Sequence, residues 1–160
     1  RMADKIIEGI EPLLDRYAPS QIGIALCVHG CPLESKGQET GVRESTALYY
    51  AMQERLIERF PLMTPAWMNH PVPGKWTTPD IDQAATNLIT LGAEAIVFAP
   101  IGFVTENHET QLDIGYTIDK VKDQVECLHL PVLNDDPELL RMGAEWITPH
   151  IEELGAVPVA

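Results

Sequence analysis

The sequence predicts an α/β fold: a four-stranded parallel sheet with helices on both faces. Two observations carry that prediction. Helical and strand signals alternate along the whole chain in the order αβαβαβαβα, the pattern of a parallel sheet with crossover helices. Two of the strand candidates, residues 22–28 and 95–99, are near-continuous apolar runs, as expected of strands covered on both faces.

The elements follow in order. Residues 3–17 place Ile6, Ile7, Ile10, Leu13, Leu14 and Tyr17 at helical spacing, and Pro19 breaks the pattern. The first strand runs over 22–28. Residues 29–39 form a loop with two glycines and a proline. A second helix is expected over 45–60, with Leu48, Met52, Leu56 and Phe60 four apart. A second strand follows over 62–69, then a loop over 70–79 with three prolines and a glycine. Asp80 is placed to cap a third helix that ends at Gly92. The third strand covers 95–99 and the loop after it 100–109. A fourth helix spans 112–125 and a fourth strand 127–133. Pro137 then sits in the first turn of a last helix reaching about Leu154. No linker or repeat divides the chain, so residues 1–160 read as one domain. The Arg1–Met2 start points either to a remnant of how the chain was produced or to an internal segment of a longer chain.

Composition excludes several function classes. The chain holds 24 Asp and Glu against 11 Lys and Arg, for a net charge of −13. Such a surface repels nucleic acid and anionic membranes, so neither is an expected partner. No apolar run approaches the roughly 20 residues of a membrane span, and the acidic start does not resemble a signal peptide. The three cysteines, Cys27, Cys31 and Cys127, form no CxxC pair and no disulfide framework, which fits a reducing, cytoplasmic location. Glycine-rich phosphate loops and the GxSxG elbow are absent, which disfavours nucleotide enzymes and serine hydrolases.

In parallel sheets, ligands bind outside the carboxyl ends of the strands. The residues leaving those ends are His29-Gly30-Cys31-Pro32, Asn69-His70-Pro71, Pro100-Ile101-Gly102-Phe103 and Asn134-Asp135-Asp136. Three of the five histidines, His29, His70 and His108, therefore lie at one edge of the sheet. A neutral His29 imidazole there can ligate a borderline metal or accept a proton; the plainer alternative is a histidine that hydrogen-bonds its loop. Glu106, Glu109 and Asp113 are three and four apart, and with His108 they suggest a row that handles a divalent ion, although carboxylates at a helix start are also ordinary caps. Cys27, His29 and Cys31 alternate, but Gly30 interrupts the strand and no second ligand pair exists, so a structural zinc site is not expected. Trp67 and Trp76 are most simply packing residues, with Trp76 also able to face a flat aromatic ligand.

These segments resemble the C-terminal half of ferrochelatase. His29-Gly30-Cys31-Pro32 resembles the family's HGLP segment, Trp76-Thr77-Thr78-Pro79 its WLxP and residues 100–105 its PIGFVS. Glu109-Thr110 resembles the end of DHxET, and residues 133–138 resemble LNDxPxF. The resemblance runs in order from about residue 22 to 147. Three departures stand out: the histidine of DHxET moves next to the glutamate as His108, GDPY is replaced by Gly37-Gln38-Glu39-Thr40, and QSxxGP is not recognisable around Asn69-His70.

The resemblance implies a flavodoxin-like, three-layer chelatase fold and a lyase that inserts Fe(II) or Co(II) into a porphyrin or a sirohydrochlorin-type macrocycle. It implies a bent macrocycle held in a cleft, with His29 and Glu109 as catalytic residues that face each other and converge across one pocket. His29, His108, Glu109 and Asp113 become the metal-handling set, and Cys31, Pro32, Trp76, Gly102 and Phe103 the substrate contacts. No bound cofactor is implied, since the metal is a substrate. Because ferrochelatases close their cleft with two similar domains, a homodimer or a second chelatase-like domain is expected to complete the site. The other readings are a non-catalytic tetrapyrrole- or metal-binding module and a purely structural α/β partner domain.

Overall fold

The computed structural model describes residues 2–34, 40–153 and 155. Its sheet has four parallel strands in the order β2-β1-β3-β4. They are β1 (Ile22–His29), β2 (Leu62–Met68), β3 (Ala95–Pro100) and β4 (Glu126–His129). The helices are α1 (Met2–Ile10), α2 (Val42–Leu56), α3 (Ile81–Thr90), α4 (Ile114–Val121) and α5 (Pro137–Glu153).

The two apolar runs form the two central strands. Every residue of β1 except His29 is buried, and so is all of β3. Alternate residues divide between two cores. Ile24, Leu26, Val28 and Val97 pack with Ile6 and Ile10 of α1 and Leu56 of α2. Ala25, Cys27, Ile96 and Phe98 pack with Ala84 and Leu88 of α3 and Ile114 of α4. Helices thus cover both faces, as the sequence predicts.

The boundaries shift for local reasons. The first helix ends at Ile10 and becomes a 3₁₀ turn over Glu11–Leu13, because Pro12 has no N–H to continue the α-helical pattern. The second helix begins three residues earlier than expected, after Gly41 at a φ of 75°, and stops at Leu56. β4 is shorter than expected: it ends at His129, two residues before Pro131, which cannot donate to a ladder. The fourth helix is preceded by a π-helical turn, Glu109–Asp113. Asp80 caps α3 as expected, its side chain accepting from the Gln83 N–H at 2.8 Å. α5 leaves Leu140, Met142, Trp146 and Ile147 exposed. Residues 37–39 of the segment that replaces GDPY, and Leu154, lie outside the described residues. Among the described residues no helix is long and apolar enough to cross a membrane.

The strand order fixes where a ligand belongs. β1 connects outward to β2 on one side, and the chain then returns to place β3 on the other. The carboxyl ends of β1 and β3 flank this reversal, the point where open α/β sheets form a crevice.

Candidate metal-handling site

His29 is the last residue of β1, with its side chain 47% exposed after seven buried neighbours. Gly30 follows because nothing larger fits. A Cβ at that position would collide with Asn69 Oδ1 and lie 2.5 Å from the Met68 carbonyl oxygen. The Gly30 N–H donates to that carbonyl at 2.9 Å, so the exits of β1 and β2 touch. Buried Thr77 extends the contact. The Cys31 N–H donates to Thr77 Oγ1 at 3.1 Å, and Thr77 Oγ1 donates to Asn69 Oδ1 at 3.3 Å. His29 is in register with Met68, so His70, two residues further on, arrives beside it with ring centroids 5.3 Å apart.

The exit of β3 approaches from the other side. The Gly102 N–H donates to the Cys27 carbonyl at 3.1 Å, and a Cβ at Gly102 would stand 3.0 Å from Val28 Cα. Phe103 follows, its ring perpendicular to that of His29 at 6.5 Å. Asn107 then caps the π-helical turn: its Oδ1 accepts from the N–H groups of Glu109 at 2.9 Å and Thr110 at 3.1 Å. Glu109, at the start of that turn, is only 14% exposed. Its two carboxylate oxygens lie 3.0 and 2.9 Å from His29 Nδ1. In the neutral tautomer whose Nδ1–H donates to the carboxylate, Nε2 of His29 keeps its lone pair. His70 Nε2 stands 3.8 Å from Glu109 Oε1.

His29, His70 and Glu109 form a donor group with one ligand atom from each, all within 4.8 Å of one another. Ligand bonds of about 2.0–2.2 Å put neighbouring donors of a four-coordinate ion roughly 3.5 Å apart, so small movements close this group on a cation. Two imidazoles and a carboxylate suit borderline divalent ions such as Fe(II), Co(II), Ni(II) and Zn(II).

The other expected site residues are placed differently. His108 is exposed and Asp113 half-buried, and neither belongs to the donor group. Asp113 ends the π-helical turn that Glu109 begins. Cys31 does not offer its side chain to a substrate: it is 1% exposed, packed in the core with its thiol 3.5 Å from the His29 carbonyl. Pro32 is exposed and pairs with Trp76 in an isolated antiparallel bridge. Trp76 is half-buried, 5.9 Å from the His70 ring, and its Nε1–H donates to the Val72 carbonyl at 2.9 Å. Trp67 is core, as expected. Cys27 and Cys31 are buried and Cys127 half-buried, all three as free thiols outside the donor group.

His70 is the residue that the sequence does not single out beyond its place at a strand exit. The signal that finds it is register: the strand ends beside His29, and Gly30 admits no spacing between them. A separate cavity of about 640 Å³, between α1 and the segment leaving β4, is lined by apolar residues such as Ile6, Ile101 and Val132 together with Lys5, Glu8, Asp135 and Asp136, and holds none of these donors.

Comparison with known proteins bears on the family and the fold. The chain is 25% identical over 153 residues to the chloroplastic Ferrochelatase-2 of Arabidopsis thaliana, covering 89% of this chain and 29% of the relative's length. Its fold is that of a putative cobalamin (vitamin B12) biosynthesis CbiX protein from Marinobacter aquaeolei VT8, with a TM-score of 0.51 and 14% identity. That match covers 82% of this chain and 98% of the other. The family model for ferrochelatase matches residues 2–151, and on that match the chain belongs to the ferrochelatase family.

Proposed function

We propose that this chain is a metal-inserting half of a tetrapyrrole chelatase, in which His29, Glu109 and His70 receive a divalent ion and exchange it for the protons of a macrocycle. The single observation that supports this most is the convergence of those three side chains at the reversal point of the sheet. Insertion is an exchange: one M²⁺ enters and two pyrrole N–H protons leave. The contact between His29 Nδ1 and the Glu109 carboxylate, at 2.9–3.0 Å, holds a proton when no metal is present. An ion that takes its place must displace that proton. When the ion passes to the macrocycle, the vacated imidazole and carboxylate become the acceptors for the pyrrole protons. His108 and Asp113, next to Glu109 but outside the donor group, serve the approach of the hydrated ion. Trp76, Pro32, Gly102 and Phe103 border the place where the flat ring lies. Fe(II) and Co(II) are the ions in question, used as substrates and not as resident cofactors.

The side chains of His29 and His70 are 47% and 44% exposed. One chain thus provides one wall, and a macrocycle needs both faces covered. A second copy of the chain, or a second domain of the same kind, supplies the other wall; native mass measurement with and without porphyrin tests this.

The activity is tested by insertion assays pairing protoporphyrin and sirohydrochlorin with Fe(II) and Co(II). The expected result is turnover with at least one pair, and its loss in His29→Ala while the macrocycle still binds. Binding without turnover in the unmodified protein favours a non-catalytic module. Absence of any absorbance shift on adding either macrocycle favours a structural domain.

A further inference from the structure

We propose that Glu106, which lies outside the donor group, is the positioning residue that sets where the Glu109 carboxylate stands, and so sets metal affinity. This rests on the metal-handling reading above. The observation behind it is a convergence of hydrogen bonds on one side chain. Glu106 Oε2 accepts from Thr110 Oγ1 at 2.6 Å and from Gln111 Nε2 at 2.5 Å. Glu106 Oε1 accepts from the Val132 N–H at 3.1 Å. Its own N–H donates to Asn134 Oδ1 at 2.9 Å, and the Asn134 N–H donates to the Val104 carbonyl at 2.9 Å. Asn134 reaches this position through a left-handed φ of 48°, which asparagine tolerates better than most residues.

One carboxylate therefore joins three pieces of chain: the loop leaving β3, the π-helical turn and the segment leaving β4. The link to Glu109 is direct along the backbone. Thr110 is its neighbour and 0% exposed, and its hydroxyl is held from both sides. It donates to Glu106 and accepts from the Asn107 N–H at 2.9 Å. Fixing Thr110 fixes the start of the turn from which the Glu109 side chain reaches His29. A charged acceptor suits this task because hydrogen bonds to an ionised carboxylate are shorter and stronger than neutral ones. Outer groups of this kind orient a ligand without touching the metal, and their removal commonly costs about 10- to 100-fold in metal affinity.

The test is Co(II) titration of the full chain, followed by the visible absorption of the bound ion, alongside urea unfolding. Glu106→Ala is expected to weaken Co(II) binding by about 10- to 100-fold. Thr110→Val, which keeps the side-chain shape and removes the hydroxyl, is expected to weaken it in the same direction. Glu106→Gln keeps one acceptor oxygen and should fall between Glu106→Ala and the parent. In a Glu109→Gln background the Glu106 substitutions should add less than about a twofold further loss, since their effect runs through Glu109. Asp80→Ala, at the cap of α3 away from the site, provides a chain of lowered stability with unchanged affinity. Should Glu106→Ala not fold, Glu106→Gln and Thr110→Val decide. The proposal is overturned by Co(II) affinity within twofold of the parent in those variants. It is equally overturned by an undiminished loss in the Glu109→Gln background, or by an equal loss in Asp80→Ala. A parent chain that binds no Co(II) at all is a different result: it refutes the metal-handling reading and removes this inference with it.

Discussion

The two sides of the site are held by opposite means. On the imidazole side, His29 and His70 are set by backbone pressed against backbone: Gly30 lies so close to Met68 and Asn69 that no side chain fits between them. On the carboxylate side, Glu109 is set by side chains: Asn107 Oδ1 accepts from its N–H, and the hydroxyl of neighbouring Thr110 donates to the Glu106 carboxylate. Contact of the first kind is unforgiving, since two of the three atoms nearest a Cβ at Gly30, the Met68 carbonyl oxygen and Asn69 Cα, are main chain and cannot turn away. Bonding of the second kind is adjustable, because each link is a side chain that can be weakened singly. On the proposed metal-handling reading, the difference corresponds to a fixed receiver and a tunable partner: the histidines stay, and the position of the carboxylate would govern how tightly an ion is held.

The largest expected effect comes from breaking the rigid side. Gly30→Ala forces the β1 and β2 exits apart, and overpacking of this kind costs roughly 1–3 kcal/mol. Urea unfolding should show the loss of stability, and Co(II) titration the loss of the His29–His70 pair. Gly102→Ala meets Val28 Cα at 3.0 Å, a looser contact, and should cost less. If the two substitutions prove equally mild, the rigid side is not rigid.

On the adjustable side, Asn107→Ala removes the acceptor for two N–H groups of the π-helical turn. The loss of such a cap costs about 1 kcal/mol. Stability should fall by that amount while the fold and the histidine pair persist, which thermal unfolding and His-ring NMR signals can read together.

The gentlest probe is pH. His129, at the end of β4, has an Nε2 atom that is buried without a partner among the described residues. Burial lowers its pKa below the usual 6.5, with Glu106 opposing. A histidine that resists protonation in the folded state contributes its full stability above the unfolded value and loses it as pH falls from about 6.5 through the lower folded value. Burial alone would raise the Glu106 carboxyl, but hydrogen bonds from Thr110, Gln111 and the Val132 N–H, with His129 nearby, outweigh it and hold it below 4.5. Its contribution is present above the unfolded value near 4.5 and disappears as pH falls through the folded one. Urea midpoints between pH 8 and 3 should therefore decline in two stages. His129→Gln should remove the upper stage and Glu106→Gln the lower. A single stage unaffected by either substitution would contradict the assignment.

Much of this architecture is legible in the sequence. Strands β1 and β3 read as apolar runs because both of their faces are covered, and that same burial makes their exits conspicuous. Asp80 is readable as a cap because capping is local. The pairing of His29 with Glu109 follows from the family resemblance, since 80 residues separate them and no local rule brings them together. His70 is harder to find. Its place depends on the register between β1 and β2, which is a property of the pair of strands and not of either sequence. His108 draws attention by standing next to Glu109, yet adjacency in a turn sends neighbouring side chains in different directions. The π-helical turn is hidden as well, because its spacing differs from that of an α-helix by a single residue.

The three free thiols bear on how long an ion can stay. Burial pushes the pKa of Cys27 and Cys31 up, with Glu44 adding to the rise at Cys31. Cys127 is pushed up to about 11, by burial first and by Glu126 second. Sulfur grips iron and cobalt as thiolate, and burial opposes that ionised form at all three positions. On the proposed metal-handling reading, a cation in this crevice would meet the nitrogen and oxygen donors of His29, His70 and Glu109, atoms that release it again, with no ready thiolate beside them to keep it.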